Sequence, residues 1–390
     1  MNFWNKLFEQ KKCVLGLSPM DGVTDAPFRY MVGKYSRPSP QSSDGIDVMF
    51  TEFVSVDALF HVAEKKKAEM VLRALMRARD IDCPMGSGLV GLLSDDGRQD
   101  MTPFPYEVAQ IFGHTPELFY KAAVLVATLG FDGLDINMGC PASKVEELGS
   151  GAGLIRTPDV AKEIVRQAKK GIEDWVSGKV SLEDLGYADV VVEWVRIREP
   201  RGRTSREEIP VSVKTRIGVE REQTEEWIPT IMESEPVVLS LHGRTLKQFY
   251  QGKADWEAIG RAAEIVHQMG GKILGNGDVK SRKEAFEKCR QYGVDGVLIG
   301  RAAEGNPQIF AGVENPSKEQ RLAWILEHAR VYDRLFVENE PPDCKERAFM
   351  PLRKHLAWYA GGFPGASEMR QKLVMCRSLG EVERVISSTI

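Results

Sequence analysis

The chain has 390 residues, is 43% hydrophobic and 28% charged, and carries a formal net charge of −4. These are globular values with ample material for a core; no apolar run reaches the ~20 residues of a membrane-spanning helix, and the acidic balance weighs against a uniformly basic nucleic-acid binder. The six cysteines (13, 83, 140, 289, 344, 376) show no CxxC spacing, so neither a zinc site nor a disulfide framework is expected, and a reducing cytoplasm is the simplest compartment.

The first twelve residues, MNFWNKLFEQKK, lack the apolar core of a secretory signal and read as a short amphipathic lead-in. Eight apolar segments follow, read as strands near 14–19, 48–52, 107–112, 133–138, 210–215, 237–242, 272–275 and 296–300. Helical patterns lie between them, at Pro116–Leu129, Val160–Ala168, Trp256–Gln268 and Ser281–Arg290. Eightfold alternation predicts an α/β protein with a (β/α)8 TIM barrel. An open doubly wound sheet is the competitor, disfavoured because no GxGxxG opens a helix after the first strand.

Two connections exceed simple barrel loops and read as insertions, about 61–105 and 171–209. The first holds a basic-apolar helical stretch (Ala63 to Ala78) and a Gly/Asp-rich segment (Gly86 to Asp100); the second holds Trp175, Trp194 and an arginine run from Arg196 to Arg206. That run suits either contact with a polyanion or a solvated loop. Residues 311–317 read as a linker. Helices expected at 318–336, 344–360, 366–376 and 380–387 make a small all-α C-terminal domain, dividing the chain into 1–312 and 313–390. From residue 313 on there are 12 Lys+Arg against 11 Asp+Glu, and seven basic against two acidic residues between Lys345 and Arg377. A phosphate-tracking face is therefore expected in this tail.

In a barrel all strand C-termini face one mouth, and here they carry chemistry. The first ends in Ser18-Pro19-Met20-Asp21, the second in Thr51-Glu52; the third carries Gln110, the fourth Asn137 and Cys140 with Lys144 beyond. The fifth presents Lys214 and Arg216, the sixth His242 and Arg244, the seventh Asn276-Gly277-Asp278, the eighth Gly300-Arg301. Barrels often bind phosphate after strands seven and eight, and the glycines and Arg301 fit that use. One phosphate site with Gln110, Lys214 and His242 as donors suits flavin mononucleotide, with Lys214 stabilising negative charge on the reduced ring.

These residues resemble the tRNA-dihydrouridine synthases, flavoenzymes that reduce uridines of transfer RNA using NADPH. The matches run in order: Ser18 to Arg29 (SPMDGVTDAPFR), Thr51-Glu-Phe-Val54, Asn137-Met-Gly-Cys-Pro141 with Lys144, and Gly149 to Gly153. They continue through Val213 to Gly218 (VKTRIG), Leu241 to Thr245 (LHGRT) with Tyr250, Gly252, Asp255 and Trp256, Gly275 to Asp278, and Gly296 to Ala302 with Gly305-Asn-Pro307; Arg353 to Tyr359 and Gly362 to Gly365 look like the family's helical RNA-binding domain. The resemblance implies Cys140 as the acid that protonates C5 of uracil while the flavin delivers hydride to C6. It places Asn137, Lys144, Arg216 and Arg244 on the substrate. It places Pro19, Met20, Gln110, Lys214, His242, Asn276, Gly277, Asp278, Gly300 and Arg301 on FMN. It implies tRNA as partner, no membrane, no metal, a monomer, and a cytoplasmic location. A uridine in folded tRNA must be flipped out to reach such a mouth.

Two other readings of the same residues stay open. A flavin barrel acting on a free pyrimidine, like dihydroorotate dehydrogenase, shares the mouth chemistry but has no use for residues 313–390. A non-catalytic RNA-binding barrel would have no need of the intact Asn137, Cys140, Lys214, His242 and Arg301 set. Which tRNA position is reduced, NADPH or NADH preference, and the purpose of the insertions are not legible.

Overall fold

Eight parallel strands close in chain order into one barrel: β1 (Val14–Leu17), β2 (Val48–Ser55), β3 (Tyr106–Phe112), β4 (Gly133–Met138), β5 (Val211–Arg216), β6 (Leu239–His242), β7 (Ile273–Asn276) and β8 (Gly296–Ile299). Closure is made by β1 against β8, with Leu17 opposite Ile299. The structure is a computed structural model that describes residues 2–37, 45–81, 104–142, 149–200 and 206–388. It is the expected (β/α)8 barrel followed by a helical C-terminal region.

The polar mouth has an apolar opposite end. Val14, Val48, Phe50, Val108, Leu274 and Leu298 form a buried cluster with Phe3, Trp4 and Leu7 of the helix Phe3–Gln10. Phe3 stacks on Tyr106, the first residue of β3, with ring centroids 4.5 Å apart. The amphipathic lead-in is thus a plug at the N-terminal ends of the strands, which leaves the C-terminal ends as the open face.

Several boundaries differ from expectation. The helix after β4 runs from Pro158 to Val176, past Gly171, where the second insertion is expected to begin. A Cβ at Gly171 would lie 2.4 Å from the Tyr120 carbonyl oxygen, so this glycine permits close approach to the helix Pro116–Leu129 rather than ending its own helix. The second insertion then adds the 3-10 turn Leu182–Leu185 and the helix Asp189–Arg198; the latter packs on Lys65–Leu72 of the first insertion. The Gly86 to Asp100 segment and residues 201–205 of the arginine run lie outside the described residues.

The cysteine reading needs correction. Cys13 and Cys289 are joined by a disulfide across 276 residues. Barrel closure brings the residue ahead of β1 beside the helix Arg282–Tyr292 that precedes β8, a proximity that chain spacing does not convey. Among the described residues no helix is long and apolar enough to cross a membrane.

In the tail, Ser317 and Gln320 form a capping box at the start of the helix Lys318–Phe336. The helix expected over 344–360 is split into Lys345–Phe349, a 3-10 turn at Met350–Leu352 containing Pro351, and Arg353–Tyr359. Ala366–Leu373 and Leu379–Ser387 complete it. Trp324, Ile325, Tyr332, Leu356 and Tyr359 form one buried cluster with Ala26 and Met31 of the helix Ala26–Ser36, whose Phe28 and Val32 belong to the barrel cluster. That helix is therefore shared by barrel and tail, and Lys34 reinforces the seam with an ion pair to Glu327 at 2.8 Å.

Candidate active site at the barrel mouth

Strand register sets the site. Asn137 on β4 lies opposite Lys214 on β5, Arg216 opposite His242 on β6, and His242 opposite Asn276 on β7. Successive residues on a strand point to opposite faces, so Lys214 and Arg216 share one.

Asn137 turns back on its own loop. Its Oδ1 accepts from the backbone N–H groups of Gly139 (3.0 Å) and Cys140 (2.8 Å), while Nδ2 donates to Gln110 Oε1 at 2.9 Å. The Cys140 carbonyl accepts from Ala152 N at 3.2 Å, so the thiol sits in a loop held at both sides. Burial pushes the Cys140 thiol above its ordinary range, and Asp21 adds to the effect against Arg216 and Lys214. A protonated thiol at neutral pH is the result. Lys144, expected nearby, lies outside the described residues.

Lys214 is half-buried, and no hydrogen bond to its Nζ is formed among the described residues. Burial, then the neighbouring Arg216, bring it down to about 8. Arg216 is buried: Nε donates to Gly139 O (2.6 Å) and Nη1 to the carbonyls of Thr245 and Phe249 (both 3.0 Å), leaving Nη2 open among the described residues. His242 stays neutral, held well below its ordinary value by burial and by the cations Lys214, Arg216, Arg244 and Arg301.

Arg244 is buried and wholly engaged inside the protein. It donates to the carbonyls of Gln251 (3.2 Å) and Gly252 (2.6 Å), to Asp278 (2.7 Å), and meets His242 Nε2 at 3.3 Å. The loop after β6 wraps around it, so the guanidinium braces that loop rather than facing an open mouth. Asp278 also accepts from Arg301 at 2.8 Å and from Ala254 N at 2.8 Å. Gly277 has φ +134, and a Cβ there would fall 2.5 Å from the Ala254 Cβ. Asn276 donates to Leu298 O at 3.0 Å. Gly300 heads the turn Arg301–Ala303, with half-buried Met20, next to Pro19, beside it; the Arg301 side chain is 60% exposed. Asn137, Cys140, Lys214, Arg216, His242, Asn276 and Asp278 are thus gathered at the C-terminal ends of β4 to β7, with Arg244 enclosed behind them.

Some residues here had no role assigned from sequence. Asp135 and Ser212 look like core positions of apolar strands, yet their side chains bond each other at 2.6 Å, in the same register row as Gln110, which donates to Asp135. Phe249 and Tyr250 are exposed on the rim, 44% and 63%, with Phe249 at φ +50 and its carbonyl captured by Arg216. An aromatic residue in left-handed conformation is rare, and no sequence signal marks it. Glu52, at the edge of the mouth, is pushed up to about 7 by burial and by Asp25.

The arrangement offers a protonated thiol, two cations with open donors among the described residues, a neutral imidazole and an exposed arginine at the end of β8. It suits proton delivery to a substrate held over an anionic cofactor. The family described as Dihydrouridine synthase (Dus) matches residues 16–205 and 203–389. A Staphylococcus aureus (strain MRSA252) protein named "Probable tRNA-dihydrouridine synthase" is 30% identical over 99% of this chain and 94% of its own length. A Bacillus subtilis (strain 168) protein named "Probable tRNA-dihydrouridine synthase 2" is 30% identical over 99% and 95%. Among solved structures, the DHODH of Eimeria tenella in complex with ferulenol aligns at a TM-score of 0.46 and 14% identity, covering 82% of each chain.

Proposed function

The chain belongs to the dihydrouridine synthase family, and from that premise we propose that it reduces uridines of tRNA to 5,6-dihydrouridine, with FMN as cofactor and NADPH as reductant. It is an oxidoreductase of the class that acts on CH–CH bonds. The observation that carries the finer reading is the pair of adjoining register rows, Asn137 with Lys214 and Arg216 with His242 and Asn276, on the strand ends beside Cys140.

The donor set fits a flavin mononucleotide. Lys214 Nζ is unpartnered among the described residues, a Cβ at Gly277 or Gly300 would crowd Ala254 or Met20, and Arg301 is exposed beside them. When bound, FMN supplies the hydride, from N5 to C6 of the uracil. Cys140 delivers the proton to C5, and its raised pKa keeps that proton available at neutral pH. Arg216 Nη2 and the second Nδ2 hydrogen of Asn137 are open donors for the uracil carbonyls. The Lys214 cation favours negative charge on the ring, Pro19, Met20, Gln110 and His242 line it, and Asn276, Gly277, Asp278, Gly300 and Arg301 hold ribityl and phosphate. Lys144 is assigned to the substrate with them. Arg244, engaged with Asp278 and His242, acts by bracing those two.

The substrate enters as a flipped nucleotide. Extrusion from the stack costs a few kcal/mol, and Phe249 and Tyr250 on the rim offer ring faces to bases beside it. The helical tail, basic between Lys345 and Arg377, contacts the RNA backbone. The test is spectroscopic. Purified protein should be yellow, bleach anaerobically with NADPH, and recover its colour when unmodified tRNA is added. Recovery with free uracil or orotate but not tRNA overturns the proposal in favour of a free-pyrimidine enzyme.

A further inference from the structure

The hydrogen bonds at the floor of the mouth form one directed chain. Ser212 Oγ donates to Asp135 Oδ1 (2.6 Å), Gln110 Nε2 to Asp135 Oδ2 (2.6 Å), Asn137 Nδ2 to Gln110 Oε1 (2.9 Å), and the Cys140 amide to Asn137 Oδ1 (2.8 Å). Asp135, Gln110 and Ser212 are fully buried and Asn137 nearly so. Both ends of the chain are fixed in sense. A carboxylate only accepts, and backbone N–H groups only donate. Each amide between them therefore has a single allowed orientation.

We propose that Asp135, anchored by Ser212, is a positioning residue for Cys140: it orients Gln110, which orients Asn137, which holds the loop bearing the thiol. The inference rests on the reading of Cys140 as proton donor but acts through none of the reacting atoms. Burial pushes the Asp135 carboxyl up, while the hydrogen bonds from Gln110 and Ser212 and the Lys214 cation favour its ionised, doubly accepting form. Nothing else among the described residues accepts from the Gln110 side-chain nitrogen.

The chain predicts which substitutions at position 135 are tolerated. Asp135→Leu removes the acceptor, so Gln110 Nε2 is stranded and Gln110 Oε1 is no longer held toward Asn137; the Cys140 loop is released. Asp135→Asn retains one oxygen for Gln110. Its nitrogen turns toward Ser212 Oγ, which can accept it and still donate to the Leu134 carbonyl, 3.4 Å away. The readout is the rate of Cys140 alkylation by iodoacetamide in the full-length flavoprotein, followed on the Cys140 peptide by mass spectrometry. Asp135→Leu should raise the rate by about fivefold, as expected for loss of one buried hydrogen bond, and Asp135→Asn should stay within about twofold of the parent. An unchanged rate in Asp135→Leu, or an equal rise in both variants, overturns the proposal. Where Asp135→Leu does not fold, Gln110→Met breaks the same chain at its middle; the same rise is expected, and its absence is equally decisive. Dihydrouridine is scored in the same preparations. If the parent forms none while the alkylation pattern holds, the functional reading fails and the positioning role stands.

Discussion

Lys214 carries its charge at the mouth without a hydrogen-bond partner among the described residues, and burial brings its titration close to neutrality. With its pKa lowered to about 8 by burial and Arg216, it is charged below that pH and neutral above it. Asp135, raised to about 6 by burial, sets no limit of its own, since its acid form can donate to Ser212 and still accept from Gln110. Uridine reduction should therefore hold a plateau around neutrality and fall about tenfold per unit above pH 8. Lys214→Met should lower the plateau and remove that limb; a parent profile flat through the Lys214 titration would contradict the assignment. The strand-end residues were legible because polar groups at the end of an apolar run have no core use. Asp135 and Ser212 were not, because a polar residue inside a strand has no marked partner until the sheet closes. For Arg244 the charge was legible but the loop that encloses it was not, being set by tertiary structure.

At the scale of elements, buried charge joins pieces that are distant in sequence. Glu107 on β3 accepts from Arg29 Nε (3.3 Å), from the amides of Ala78 (2.8 Å) and Arg79 (3.1 Å), and from Arg79 Nε (3.2 Å). It ties the barrel to the helix Ala26–Ser36 and to the first insertion, while Arg79 also pairs with Asp132. Glu107→Ala should cost about 3–5 kcal/mol in urea unfolding, since it strands the fully buried Arg29. A loss below about 1 kcal/mol would mean that the surrounding carbonyls alone hold that guanidinium. Strand positions were readable from apolar runs, and Pro116–Leu129 and Lys318–Phe336 matched to the residue. Gly171 misleads because a glycine that lets helices approach looks, in one dimension, like a glycine that ends one. The Cys13–Cys289 pairing was hidden for the same reason, being a consequence of closure.

For the whole molecule, the basic tail is set beside the mouth by a seam along one shared helix, while the chain as a whole is acidic. Few phosphate contacts are therefore expected. The slope of log K against log salt for tRNA should be shallower than about −5, and replacing exposed Arg347 should reduce its magnitude by at most about 1. A slope of about −8 or steeper would place more of the RNA on the barrel than the charge distribution allows. The central claim, a proton donor beside a reduced ring, is tested most directly by mass-spectrometric mapping of tRNA treated with the parent protein and with Cys140→Ala. The parent should add two mass units at defined uridines. Cys140→Ala should lose at least about a hundredfold in that product while NADPH still bleaches its flavin at the parental rate. Undiminished dihydrouridine from Cys140→Ala would contradict the account.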